Sequence, residues 1–274
     1  MANGSTGLVI VGVVIGVVVA AQADRVDFDR IDLPEARSTV AVGSADGVAT
    51  SGSNGAGAEQ PADGPIGESP SRAGHGLDTP GVIRSVDGGR VVALTFSSGP
   101  DPTYTPQVLR ILERHDVRAT FCVTGEDVRS NQIVVQNIAA AGHTLCSQGD
   151  TQDIQLAQRD DVEMQQALRG VLDAIEDAVP AASVPFFRAP GGGFSPELNQ
   201  IAETYGHDPL GWSVDPRDWE NPGARAIVDA VLDAVEPGSI VILHDGDGDR
   251  SDTVAALDPL IVELRSAGYE FAAP

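Results

Sequence analysis

From Gly89 to the C-terminus, short β-rich runs alternate with stretches of helical period, and that alternation leaves few architectures open. Val91-Val92-Ala93-Leu94-Thr95-Phe96 is a run of apolar and branched residues closed by Ser97-Ser98-Gly99-Pro100. Val108, Ile111, Leu112 and His115 follow at helical spacing, then a strand over 119–123, a helix over 131–141 and a strand over 143–146. A longer helix sets Met164, Leu168, Val171, Leu172 and Ile175 on one face. Strand-like runs recur at 186–188, 209–214 and 239–243, and Leu257, Leu260, Ile261 and Leu264 mark a last helix before 269–272. Repeated units of this length predict an α/β fold with a parallel sheet under helices. About seven of them suit a small or incomplete (β/α) barrel, in which the residues just after each strand converge on one end.

The first 88 residues read differently. Residues 1–23 carry no charged side chain, and residues 7–21 are almost wholly apolar. This length is short for a spanning helix and long for a signal-peptide apolar region, and Ala21-Gln22-Ala23 fits the small-x-small rule for signal cleavage. A signal peptide or membrane anchor over 1–23 is therefore expected, and with it an extracytoplasmic protein, secreted or anchored through residues 7–23. Residues 24–88 are dominated by Gly, Ser, Ala, Asp and Pro, too poor in large apolar groups to offset the entropy of ordering, and read as a flexible linker. The domain is expected over 89–274.

The formal charge of -23 repels phosphate backbones and argues against a nucleic-acid partner. Cys122 and Cys146 lack the spacing of a zinc site. They read either as two small buried thiols or, in an exported chain, as one bridge.

Five predicted strand ends carry polar text: Thr95-Phe96-Ser97-Ser98-Gly99-Pro100, Ser147-Gln148-Gly149-Asp150-Thr151-Gln152, Arg188-Ala189-Pro190-Gly191-Gly192, Trp212-Ser213-Val214-Asp215-Pro216-Arg217-Asp218-Trp219 and Leu243-His244-Asp245-Gly246. In this order and spacing they resemble the five motifs of the polysaccharide deacetylases, the NodB-homology domain of carbohydrate esterase family four. Tyr104-Thr105-Pro106, Ala119-Thr120-Phe121 and Gly142-His143 add to the likeness. The resemblance implies a distorted (β/α) barrel acting on chitin-like, peptidoglycan or xylan chains. It also implies a divalent metal, usually zinc, held by one Asp and two His to polarise an acetyl carbonyl and activate water.

At the positions that match, the residues differ. The family's catalytic base and its ligand Asp fall on Ser97 and Ser98, and its two ligand histidines on Gln148 and Gln152. Hydroxyls and amides are poor donors to Zn²⁺, which prefers thiolate, imidazole and carboxylate. A serine is also no base at neutral pH. The expectation is a chain that has lost its metal and the deacetylation that depends on it.

The resemblance makes Arg188, Asp215 and His244 retained catalytic remnants, with His244 paired to Asp215 or Asp245. It gives Trp219, Leu243 and Pro190 as glycan contacts, and Trp212 reads as core. Asp245-Gly246-Asp247-Gly248-Asp249 alternates acids, but without the twelfth-position glutamate of an EF-hand it reads as an ordinary loop. Three functions compete: a non-catalytic glycan-binding or regulatory protein, a metal-independent hydrolase with Ser97 or Ser98 as nucleophile and His244 as base, and a structural module with a closed groove.

Overall fold

The computed structural model describes residues 77–274; segment 1–23 and residues 24–76 of the expected linker lie outside the described residues. In chain order the strands are β1 (Val91–Gly99), β2 (Thr120–Val123), β3 (Thr144–Ser147), β4 (Phe186–Phe187), β5 (Asp208–Pro209), β6 (Ser239–His244) and β7 (Glu270–Phe271). The helices are α1 (Thr105–Arg114), α2 (Gly125–Ser130), α3 (Gln132–Ala140), α4 (Asp161–Ala178), α5 (Pro196–Thr204), α6 (Ala224–Ala234) and α7 (Ser251–Ser266). The α/β reading holds, and α2, α5 and α6 are helices the periodicity did not single out.

All strand pairs are parallel, in the order β5-β4-β3-β2-β1-β6, with β7 added to β1. β1 is buried along its whole length, as expected of a central strand covered on both faces. Past β5 the chain bends to meet β6 at the other end of the sheet. Ser213 and Val214 donate to Ile240 O, and Ile242 donates to Val214 O. This short irregular join makes the barrel distorted and closes it beside the strand ends.

Residues 77–88, expected in the linker, belong to the folded domain. Ile83 donates to Pro209 O and receives from Gly211 N, each at 2.8 Å, while Val86 donates to Gly238 O at 2.8 Å. Leu77 and Val82 pack on the apolar core. Composition misled here because the segment is held chiefly by backbone pairing to β5 and to the start of β6, a source of stabilisation that side-chain content does not reveal.

Strand alternation sorts the core. Ala93 of β1, Cys122, Cys146, Phe186, Ile240 and Ile242 form one cluster with Leu210 and Trp212. Cys122 and Cys146 face each other in register on β2 and β3, with Cα atoms 4.2 Å apart, and form a disulfide. The two-thiol reading is thereby corrected: the strand pairing brings together two residues 24 apart in sequence.

Helix entries are set by local chemistry. Asp160 caps α4 in a capping box with Glu163, Ser195 caps α5 through Leu198 N with Pro196 behind it, and Thr124 caps α2 through Asp127 N. Before α1, Asp101 Oδ1 accepts from Thr103 N and Tyr104 N at 2.7 and 2.8 Å, fixing the turn after β1. Among the described residues no helix is long and apolar enough to cross a membrane.

Candidate functional site

The ends of β1, β3, β4 and β6, with the segment after β5, surround a small open cleft. Ser97, Ser98, Gln148, Gln152, Arg188, Asp215, Trp219 and His244, all singled out in the sequence, line it together. Leu243 and Pro190 do not. On β6 the residues facing the cleft are Ile242 and His244, so Leu243 between them turns to the other face, where it is buried. Pro190 is also buried, and its neighbours Ala189, Gly191 and Gly192 form the wall instead. Trp212 is both core and cleft: 7% exposed, it joins the interior cluster and also lines the floor.

Arg188 is the hub of that floor. Its side chain is 1% exposed and makes four hydrogen bonds. Nε donates to Leu210 O at 3.1 Å, Nη1 to Ser97 Oγ at 3.0 Å, and Nη2 to Thr95 Oγ1 at 2.9 Å and Gly211 O at 3.1 Å. The guanidinium also lies over the Trp212 ring, 5.5 Å from its centroid. Every acceptor is neutral. Burial pulls the Arg188 pKa down to about 9, so the group remains cationic at neutral pH.

Beside it, Ser98 sits at φ 66, in the left-handed region that side chains other than Gly, Asn and Asp seldom adopt. Its backbone N–H donates to Gln148 Oε1 at 2.9 Å, and Gln148 Nε2 donates to Gln152 Oε1 at 3.3 Å. Gln152 Nε2 is buried with no hydrogen-bond partner. The turn is held from behind by Gly246, where a Cβ would fall 2.1 Å from Ser98 O. The three positions at which the resemblance expects metal ligands thus hold one another through hydrogen bonds to the side-chain amides. The oxygens of both amides are engaged, and what they offer the cleft is N–H. This donor set does not fit a divalent cation. Among the described residues no group of three His, Cys, Asp or Glu is placed to hold a metal ion.

His244 does not pair with Asp215 or Asp245. Its Nδ1 lies 2.7 Å from Asp218 Oδ1, while Asp218 Oδ2 accepts from His244 N at 2.8 Å and from Thr253 Oγ1 at 2.7 Å. With a fully buried carboxylate on Nδ1, that nitrogen carries the proton and Nε2 is left to meet a ligand. Asp215, three residues earlier, is exposed at the rim and accepts from Arg217 N at 2.8 Å. Both acids lie in the one segment that follows β5; only the local helical turn over Asp218–Glu220 decides which one points inward.

Asp245 points away from His244. It is 1% exposed, with Oδ2 accepting from Thr105 Oγ1 at 2.6 Å and Oδ1 buried without a partner. Burial pushes its pKa up to about 7. Asp249 instead accepts from Tyr104 Oη at 2.9 Å and Ser251 N at 2.9 Å, so the alternating acids of this loop diverge.

A family model for polysaccharide deacetylase matches residues 84–210. A chitooligosaccharide deacetylase from Sinorhizobium fredii is 42% identical over 202 residues, 69% of this chain and 92% of the relative. A peptidoglycan-N-acetylglucosamine deacetylase from Bacillus cereus is 37% identical over 185 residues, 66% of this chain and 85% of the relative. Among solved structures, a CE4 family pseudoenzyme from Bacillus anthracis superposes with a TM-score of 0.66 at 28% identity, covering 71% of this chain and 68% of that one. A mutant of a CE4 family pseudoenzyme, described as having restored enzymatic activity, gives 0.66 at 29% identity and covers 71% and 70%.

Proposed function

This chain belongs to the polysaccharide deacetylase family of cell-envelope carbohydrate metabolism, and on that premise we propose that it has lost metal-dependent deacetylation and acts as a glycan-binding or regulatory protein. The observation that carries this reading is the chain of hydrogen bonds from Ser98 N–H through Gln148 to Gln152, which stands where the resemblance expects an Asp and two His. Such a set supplies no anionic oxygen and no imidazole. Without a metal, water keeps a pKa near 15.7 rather than about 7, and Ser97 cannot substitute as a base. The named relatives deacetylate chitooligosaccharide and peptidoglycan, whereas the structural neighbours include a pseudoenzyme, so the scaffold is compatible with either state.

Retention of the cleft supports binding. Trp219 and Ile154 stand on its walls, Ile154 being 40% exposed, and His244 keeps its carboxylate partner. An apolar face beside polar groups suits a sugar ring. Export or anchoring through residues 7–23 remains part of the proposal, and the Cys122–Cys146 bridge supports it because disulfides persist in oxidising compartments.

The metal-independent hydrolase draws on the Asp218–His244 pair, which supplies the acid and imidazole of a triad. Against it, the Ser97 hydroxyl bonds to Arg188, and no hydrogen bond joins Ser97 or Ser98 to His244. The deciding experiment is acetate release from chitotetraose by the purified protein with added Zn²⁺ or Co²⁺, beside metal analysis. Background-level acetate and substoichiometric metal are expected. Bound zinc near one per chain together with turnover would overturn the reading, and fluorophosphonate labelling abolished by S97A or S98A would favour the hydrolase.

A further inference from the structure

The cleft floor contains several hydrogen-bond donors and a cation without a counter-ion. Arg188 has five N–H groups and uses four in the bonds described above, leaving one on Nη1, the nitrogen that meets Ser97. Ser97 Oγ accepts from Arg188, and among the described residues its hydroxyl donates no hydrogen bond. Gln152 Nε2 is buried with no partner among the described residues, while its Oε1 accepts from Gln148 Nε2. Arg250, 3% exposed on the same cleft, donates only to the carbonyls of Gly246, Asp247 and Asp249. Neither arginine forms an ion pair among the described residues. A buried, unpaired guanidinium is costly, and unsatisfied donors beside it add to that cost.

We infer that this floor is a carboxylate-binding site, with Arg188, Ser97 and Gln152 as its donors, and that the ligand is the carboxylate of an acidic sugar. Two considerations select a carboxylate over a phosphate. The free donors are few, matching the two oxygens of a planar monoanion. The chain's charge of -23, with Asp215 and Asp247 also on the cleft, disfavours a dianion. Burial leaves Arg188 charged at neutral pH, with its pKa near 9. The sugar part of the inference rests on the glycan reading above; the carboxylate part rests on the floor alone.

Both tryptophans of the chain, Trp212 and Trp219, line the cleft, so intrinsic fluorescence reports its occupancy. The full chain is titrated with a tetrasaccharide alternating N-acetylglucosamine and N-acetylmuramic acid, with the methyl ester of that tetrasaccharide, and with sodium acetate against sodium chloride at equal ionic strength. The free acid is expected to bind at least tenfold tighter than the ester. S97D, which gives Arg188 an internal carboxylate, and Q152E, which replaces a donor with an anion, are each expected to erase that preference. Equal binding of acid and ester overturns the carboxylate site and leaves glycan binding standing. Acetate binding without tetrasaccharide binding supports the carboxylate site and removes the glycan reading. No response to acid or acetate overturns the inference.

Discussion

The Asp218 carboxylate and the His244 imidazole meet at 2.7 Å inside the wall of the cleft, and the same carboxylate also receives His244 N and Thr253 Oγ1. Asp218 is fully buried, so its acceptors cannot be replaced by water without opening the structure. This pair fixes both the orientation of the imidazole and the connection between β6 and the start of α7.

Asp218→Ala should therefore be strongly destabilising. Three donors lose their acceptor in a dry setting, and a loss of about 2–4 kcal/mol is expected from denaturant titration. A loss below about 0.5 kcal/mol, the range of ordinary surface substitutions, would mean the pair has no role in stability.

Asp245 sets a pH dependence of known sign. Burial raises its folded pKa to about 7, above the ordinary carboxylate value near 3.8, so the folded protein binds more protons than the unfolded chain between those values. Its contribution to stability therefore declines as pH rises from about 4 to about 7, by on the order of 2–4 kcal/mol. Asp245→Asn should flatten that part of the profile and be the more stable form at pH 8. Parallel profiles for the two proteins would place the titration elsewhere.

Ser97→Asp should stabilise the fold at neutral pH. A carboxylate beside Arg188 Nη1, where Ser97 Oγ now lies at 3.0 Å, forms a buried ion pair with a cation already desolvated, with a gain of about 1–3 kcal/mol. The new carboxylate would have a folded pKa below its unfolded value, so the gain is present above about pH 4 and lost as pH falls through the folded pKa. A variant less stable than the parent at pH 7 would contradict an unmet charge on Arg188.

Removing the Cys122–Cys146 bridge by C122A/C146A is expected to cost about 2–4 kcal/mol, given the 24-residue separation it closes. Protein isolated from an oxidising compartment without reductant should show no thiol reactive to Ellman's reagent after unfolding. Two reactive thiols would restore the reading of two buried free cysteines.

EDTA should leave the melting temperature unchanged, since a protein gains stability only from ligands that its folded state binds. The variant S97D/S98D/Q148H/Q152H, by contrast, should bind Zn²⁺ and lose several degrees on chelation. Calorimetry with and without chelator reads both, and a clear drop for the parent would show that it holds a metal.

How far the sequence reached depended on the kind of signal. Strands β1, β2, β3, β4 and β6 were legible because an interior strand in a parallel sheet is an apolar run between turn residues, and Ser97, Gln148, Arg188 and His244 could be placed at strand ends on that basis. Helix α6 was missed although its buried residues, Ile227, Val228 and Val231, recur at helical spacing. Residues 77–88 escaped because their attachment is backbone pairing to distant strands.

What the sequence by itself determined is the fold class, the end of the barrel where polar groups gather, and the chemical kinds at each strand end, because those depend on periodicity and side-chain identity along one chain. Only the tertiary structure decided that Asp218 rather than Asp215 holds His244, that Ile242 rather than Leu243 faces the cleft, and that Arg188 meets no carboxylate. Those outcomes turn on the direction in which a side chain leaves the backbone and on partners up to 93 residues away, and neither is local to the text that names them.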